Sequence, residues 1–463
     1  MQRLTKVVTN PAAGYSPSEW PQPGNSRGEF HYMKPFRFIH AADLHLDSPF
    51  RGLSGLPQAV RDRVRESTFR ALVQLVDLAV KEQVDFIVIA GDVYDLSDRS
   101  LRAQLRFQQA LQQLARAGIE VFVVHGNHDP EDGRRAELQW PETVHFFPSA
   151  QLGQVLVVKP GRGAIAEICG ISYATAAVRD NLALKFPQQP GELFRIGLLH
   201  TNVDGDHTHD NYAPCRLSDL RGAGIDYWAL GHIHSRRVLC ERPYAVYPGN
   251  LQGRSVKETG AKGAYLVTVT AEGKVELDFH ALDAVRWLQR ELPVAELQTE
   301  QELWDAVAAA QEDALLEAEG RAAVIRITLQ GRGPLSPALQ RGSLQTELAA
   351  ELREEQIRKL KLDPEGTFVW LDSLRIDAGL QAEPGHMPEQ DAFAGELLRM
   401  VRRLMEDPAE FEAFCTEALG PLWSQAKAER QLSGLAAEER ERWLAEAREL
   451  ALQALGAEMG WSP

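Results

Sequence analysis

Asp43, His45, Asp92, Asn127, His200, His232 and His234 share a feature of position. Each stands at or just beyond the end of a short apolar run: Phe36 to Ala42, Phe86 to Ala90, Val121 to Val124, Ile196 to Leu199 and Tyr227 to Leu230. Carboxylate, carboxamide and imidazole together suit divalent transition ions such as manganese, iron or zinc, and the lack of thiolates argues against a structural zinc site. Seven such side chains exceed the needs of one ion. A carboxylate bridging two ions solves the count. Asp92 is the natural bridge, with Asp43, His45 and His234 completing one set and Asn127, His200 and His232 the other. A pair of divalent ions would activate a water, bind phosphoryl oxygens and orient in-line attack on a phosphoester. His128 is surplus to the metal count, and its expected role is to hold the phosphate and protonate or stabilise the leaving oxygen. Asp129 is expected to orient His128 by a hydrogen bond.

These residues need a scaffold that brings five chain segments to one place. The apolar runs are short, rich in β-branched residues and bounded by Gly and polar residues, which predicts buried strands. Helical spacing of Val60, Val64, Leu72, Leu75, Val76 and Ala79 predicts a helix over 57–83. Leu101, Leu105, Leu111 and Leu114 predict another over 100–117, with Gly118 as its cap. Strand–helix alternation argues a layered α/β fold, in which ligands bind beyond the carboxyl ends of the strands. Tyr265 to Thr270, a Gly273-containing turn and Val275 to Phe279 predict a hairpin closing the first domain.

From about Trp287 the metal-capable clusters cease. Thr299 and Glu302 form a capping-box signature for a helix running to Glu319 and ended by Gly320. A strand over 324–329, a helix over 337–360 and a strand over 367–376 complete a small α+β domain. Pro384, Gly385 and Pro388 mark a linker, followed by helices with an apolar stripe of Phe393, Leu397, Val401 and Leu404. The expected organisation is a disordered leader over 1–33, a catalytic domain over 34–285, the α+β domain over 286–380, a linker over 381–389 and a helical region over 390–463. Met33, just before the first strand, is the expected natural start.

The chain of 463 residues carries a formal net charge of −15, which disfavours gripping nucleic acid by global charge. Its four cysteines are widely spaced and read as free thiols of a reducing compartment. No apolar run suits a membrane span or a signal peptide, so a cytoplasmic location without membrane attachment is expected.

The ordered set Asp43-Leu44-His45, Gly91-Asp92, Gly126-Asn127-His128-Asp129, His200 and Gly231-His232-Ile233-His234 resembles the motifs of the calcineurin-like metallophosphoesterase superfamily. Gly91-Asp92-Val93-Tyr94-Asp95, the stretch Asp226 to His234, and Tyr247-Pro248-Gly249-Asn250 followed by Lys262-Gly263 look like the DNA-repair nuclease SbcD and its double-strand-break repair relatives. His45-Leu46-Asp47-Ser48-Pro49-Phe50 and Pro248 to Gly253 look closer still to a YhaO-type bacterial branch. The resemblance covers about 36–280 well and fades beyond Leu380.

It implies a β-sandwich flanked by helices, with the α+β domain as a cap over the site and the helical region binding a partner. It also implies manganese preference, cutting of DNA ends, a homodimer, and an SbcC-like ATPase with long coiled coils. The runner-up activity is a phosphatase or phosphodiesterase for nucleotides or other small molecules at the same metal centre. Asp95 and His125 depart from the pattern, since related nucleases commonly carry His and Pro there. The loop Thr201 to Asn211 is longer and more acidic than a DNA-facing surface calls for. Arg254 and Lys257 are candidates for phosphate contacts and Tyr94 for base stacking or simple packing. His40 is expected to be a satisfied core residue, and His207 and His209 solvated loop residues.

Overall fold

The computed structural model describes residues 33–377 apart from 49, 51–55, 96–99, 134–135, 332, 341–342 and 364–365, then 392–423 and scattered positions between 442 and 451. The expected leader before Met33 and the linker over 381–389 lie outside the described residues.

Five strands carry the candidate ligands: β1 (Phe36–Ala41), β2 (Phe86–Ala90), β3 (Glu120–Val124), β7 (Arg195–His200) and β8 (Tyr227–Gly231). They are divided between two six-stranded sheets. The first adds β4 (Val144–Phe146), β11 (Gly263–Val269) and β12 (Val275–Ala281) in the order β12-β11-β1-β2-β3-β4. The second adds β5 (Gly153–Lys159), β6 (Gly163–Ile171), β9 (Arg237–Glu241) and β10 (Tyr244–Tyr247) in the order β5-β6-β7-β8-β10-β9. Strands β1 to β4 are mutually parallel, as are β6, β7, β8 and β10, while antiparallel pairings add β11 and β12 at one edge of the first sheet and β5 and β9 at the two edges of the second.

Alternation along each strand explains the layering. Phe38, Phe86, Val88 and Phe122 point between the sheets and meet Ile196, Leu198, Tyr227 and Ala229. Their neighbours Ile39, Ile87, Ile89, Val121 and Val123 point the other way, onto α1 (Gln58–Lys81) and α2 (Leu101–Arg116) through Leu72, Leu75, Phe107 and Leu111. The outer face of the second sheet packs Leu199, Trp228 and Leu230 against Phe186 and against Leu220 of α3 (Leu217–Gly222). Both faces of the central strands are therefore apolar, which is why they read as continuous hydrophobic runs. The Ser100 side chain caps α2 by accepting from the Ala103 N–H at 3.0 Å, and Gly118 follows that helix at φ 72°.

Further along, β13 (Val285–Pro293), β14 (Ala322–Gln330) and β15 (Val369–Asp377) form a three-stranded sheet in that order. Helix α4 (Glu300–Glu317) connects the first two strands. Its capping box is formed: the Glu302 N–H donates to Thr299 Oγ1 at 3.2 Å and the Thr299 N–H to Glu302 Oε2 at 3.3 Å. The helix expected over 337–360 divides into α5 (Ser336–Gln340) and α6 (Ser343–Leu362).

The described residues form two compact units. One comprises those from 33 to 289 with 311–326 and 353–372. The other comprises those of 290–310, 327–352 and 373–377 with the described residues from 392 on. Within the first, Trp287, Val324, Phe368 and Trp370 share an apolar cluster with Val60 and Val64. Within the second, α7 (Ala392–Glu406) and α8 (Pro408–Trp423) pack through Val401, Leu404 and Phe411. No helix among the described residues is long and apolar enough to cross a membrane. The four cysteines are free thiols.

Candidate metal centre

The carboxyl ends of β1, β2 and β3 and those of β7 and β8 converge, so the rim expected from the sequence is built by two apposed sheets. The loops leaving β1 and β2 are laced together. The Asp43 N–H donates to Gly91 O at 3.1 Å, that of His45 to Asp92 O at 3.0 Å, and that of Leu46 to Val93 O at 2.9 Å. To turn there, Asp43, His45 and Asp92 take left-handed backbone conformations at φ 52°, 43° and 51°, and His232 sits at 103°. Such conformations cost non-glycine residues about 1–3 kcal/mol each and gather at functional sites. The motif glycines allow the close approach. A Cβ on Gly126 would lie 2.8 Å from His200 Nε2 and closer still to Asp92 Oδ1, and one on Gly231 would collide with Ala90 O.

Four imidazoles obey one rule: an outer acceptor holds one ring nitrogen while the other faces inward. His200 Nδ1 donates to Ala90 O at 2.8 Å and His232 Nε2 to Asp210 O at 2.7 Å. His45 Nδ1 donates to Asp95 Oδ1 at 2.9 Å and His234 Nδ1 to Glu258 Oε1 at 2.7 Å. The inward nitrogens then meet only acceptors. His45 Nε2 lies 3.2 Å from His234 Nε2, while His200 Nε2 and His232 Nδ1 lie 3.0 and 3.1 Å from Asn127 Oδ1. Burial lowers the pKa of all four rings, to about 4 for His200 and about 3 for His232, which keeps these nitrogens as lone pairs.

Lone pairs facing lone pairs at such distances call for a cation between them, so the donor set fits divalent metal. The carboxylates agree. Burial, with Asp92 nearby, pushes the Asp43 carboxyl well above its usual range, and burial raises Asp92. Ligand atoms of Asp43, His45 and His234 lie within 4.8 Å of one another, as do those of Asp43, Asp92 and His200. Asp92 Oδ2 is 3.8 Å from His45 Nε2 and 3.4 Å from His200 Nε2, between the two histidine pairs as a bridge requires. A divalent ion that binds the folded state alone, at about 100 times its Kd, stabilises by about 2.7 kcal/mol. Manganese, iron or zinc is therefore expected to raise Tm by about 5 °C or more in a thermal melt. No shift with any of them would remove the metal reading.

His128 and Asp129 occupy different roles in the network. His128 Nδ1 pairs with Asp95 Oδ1 at 2.8 Å, and its ring lies edge-on to His45 with centroids 4.9 Å apart. Asp129 turns to the backbone, accepting from the Gly126 N–H at 2.8 Å and the Val93 N–H at 3.0 Å, with His125 Nδ1 at 3.5 Å. It shapes the loop that presents Asn127 and His128, and the partner of the His128 ring is Asp95. Burial opposes ionisation of Asp95, yet hydrogen bonds from His128 and His45 and the charge of Arg254 hold its carboxyl well below the usual range.

Tyr94 packs into the helix-side core, edge-on to Phe107. Arg254 lies among acceptors, 3.3 Å from Ser48 Oγ and Glu258 Oε1 and 3.5 Å from Asp95 Oδ2. Lys257 is exposed. His40 is fully buried, its ring nitrogens 3.0 Å from the Tyr227 hydroxyl and 3.2 Å from Leu230 O. In the acidic loop His207 is exposed, but His209 departs from the solvated state expected of it: it is half-buried, its ring centroid 4.5 Å from that of His234 and 5.4 Å from that of His232. Sequence reasoning missed Glu258 altogether. The one available signal was an acidic residue eight positions beyond the Gly249-Asn250 turn.

Residues 36–236 match the model of the calcineurin-like phosphoesterase family, and residues 287–379 match that of the middle domain of metallophosphoesterase YhaO. The metallophosphoesterase YhaO of Bacillus subtilis is 41% identical over 371 residues, covering 79% of this chain and 87% of that protein. The DNA double-strand break repair protein Mre11 of Aeropyrum pernix is 28% identical, over 50% of this chain and 57% of its own length. The SbcD component of the SbcCD nuclease of Bacillus subtilis is 26% identical, over 50% and 66% respectively. The chain is a hydrolase with a metal site, and it belongs to the YhaO-type calcineurin-like metallophosphoesterases.

Proposed function

We propose that this chain is a DNA phosphodiesterase, a nuclease acting in DNA repair that uses two divalent ions, manganese by preference, and works with an SbcC-like coiled-coil ATPase. The observation that carries the hydrolytic reading is the ring of four imidazoles, each pinned from outside with its free nitrogen turned toward Asp43, Asp92 or Asn127. Two ions so held would supply an activated water and neutralise the phosphoryl oxygens. Asp43, His45, Asp92 and His234 would hold one, and Asp92, Asn127, His200 and His232 the other. The backbone N–H of His128 fixes the shared carboxylate by donating to Asp92 Oδ1 at 2.9 Å. The His128 ring, its Nδ1 committed to Asp95, offers Nε2 to the departing oxygen.

DNA as substrate, and the ATPase as partner, are supported by the likeness of the phosphoesterase half to the Mre11 and SbcD proteins. The negative net charge fits a nuclease whose partner supplies much of the grip on DNA. In this reading the helices α7 and α8 belong to the partner-binding region, and the nuclease domain forms a homodimer.

The acidic loop favours a second reading. His209 stands beside the centre, its ring 4.5 Å from that of His234, where it narrows the approach of a duplex, as suits a nucleotide or another small phosphodiester. Purified protein with manganese and end-labelled linear duplex DNA decides between them. Release of nucleotides by wild type and not by Asp92→Ala supports the nuclease. Inert DNA beside rapid cleavage of a small diester transfers the assignment to the second reading.

A further inference from the structure

The four histidines of the centre differ in what stands behind them. His200 and His232 lean on the backbone carbonyls of Ala90 and Asp210, whereas His45 and His234 lean on the carboxylates of Asp95 and Glu258. Behind an imidazole, a carboxylate fixes the tautomer and makes the free nitrogen a stronger donor to a metal than a carbonyl does. Glu258 is built into its place from both oxygens. Oε1 accepts from His234 Nδ1 at 2.7 Å and from Arg254 Nη2 at 3.3 Å. Oε2 accepts from the Arg254 N–H at 2.7 Å and from Asn250 Nδ2 at 2.9 Å. The main chain of His234 is held as well, its carbonyl accepting from Lys262 Nζ at 2.9 Å. Arg254 then spans to the other carboxylate, with Nη1 3.5 Å from Asp95 Oδ2. One guanidinium therefore lies between the two carboxylates that back His45 and His234.

We propose that Glu258 is a positioning residue of the metal centre: it fixes His234 with Nε2 turned toward Asp43 and His45, and through Arg254 it is tied to the Asp95 that orients both His45 and His128. The proposal rests on the two-ion reading above. It adds an asymmetry to that reading, because Glu258 supports the ion held by Asp43, His45 and His234 and does not touch the ligands of the other. It also gives Arg254 a task besides any grip on a substrate phosphate, since its Nη1 reaches Ser48 and Asp95 and its Nη2 reaches Glu258.

The test is titration of the metal-free full-length chain with manganese alone, by calorimetry and by electron paramagnetic resonance of the free ion, for wild type, Glu258→Ala and Glu258→Gln. Wild type is expected to take up two ions. In Glu258→Ala one binding step weakens about 10–100-fold, the usual cost of losing such a partner, while the other changes by less than about twofold. Glu258→Gln keeps the shape and an oxygen for His234 but loses the charge, and is expected to fall between. A residue that merely braced the 250–258 turn would lower the Tm of the metal-free chain and leave both binding steps of the folded protein unchanged, and that result would overturn the proposal. Equal weakening of both steps would overturn the asymmetry on which it stands. Should Glu258→Ala fail to fold, the isosteric Glu258→Gln carries the test alone. Absence of manganese uptake by wild type would instead sink the two-ion reading, so the two failures are distinguishable.

Discussion

Asp92→Asn is expected to empty the centre of both ions and to abolish hydrolysis. The substitution is isosteric and retains an oxygen to accept from the His128 N–H, so the loop geometry should survive. What it removes is the charge shared between the two histidine pairs, since Asp92 Oδ2 lies 3.4 Å from His200 Nε2 and 3.8 Å from His45 Nε2. Loss of a group that supports a ligand costs roughly 10–100-fold in metal affinity, and loss of a ligand common to two ions should cost far more. Metal analysis is expected to find well under one ion per chain, and turnover should be undetectable with DNA and with a small diester alike. The metal-free variant should be no less stable than metal-free wild type, because a carboxylate buried beside Asp43 disfavours the fold until a cation joins it. Its melting temperature should also cease to respond to manganese. Two ions retained at wild-type affinity would exclude Asp92 as a bridge.

Much of this centre is legible in the sequence for a physical reason. A strand buried on both faces must be apolar throughout, so its end is marked by the first polar residue. In this fold that residue lies on the rim where ligands bind. Asp43, Asp92 and His200 are visible in that way, and so are α1 and α2, whose single apolar stripes face the first sheet.

The partition of strands between two sheets is not legible, because β7 and β8 differ in no local property from β1 to β3. The order β12-β11-β1-β2-β3-β4 depends on pairings over more than two hundred residues. Hydrogen-bond partners are hidden for a related reason. Asp129 is adjacent to His128 in sequence but bonds to Gly126 and Val93, whereas Asp95, from another loop, reaches His128 and His45 together. His209 sits in a stretch of loop composition that predicts solvation. It is drawn against His232 and His234 because Asn202, fully buried, donates its side-chain amide to the carbonyls of Asp206 and Asp210 and so folds the loop back on itself.

His128→Ala should separate the acid from the ligands. The His128 side chain is 40% exposed, unlike those of His45 and His200 at 1% and 0%, so it is open to a substrate as a buried ligand is not. Its removal takes away neither of the inward-facing nitrogen pairs, and both ions should remain at near wild-type affinity. General acid catalysis contributes roughly 10²–10⁴-fold, so cleavage of a diester with a nucleoside leaving group is expected to fall by about that factor. A nitrophenyl ester departs without a proton and should be affected much less. Asp95→Asn provides the contrast. Its carboxylate serves Nδ1 of both His45 and His128, so the substitution should weaken one ion and slow both substrates, including the ester that tolerates loss of His128. The comparison is made by measuring kcat for the two esters and metal content in the two variants. Equal loss with both esters in His128→Ala would assign that ring to holding the phosphate rather than to protonating the leaving group. Loss of metal from His128→Ala would make it a ligand and void the division between acid and ligands.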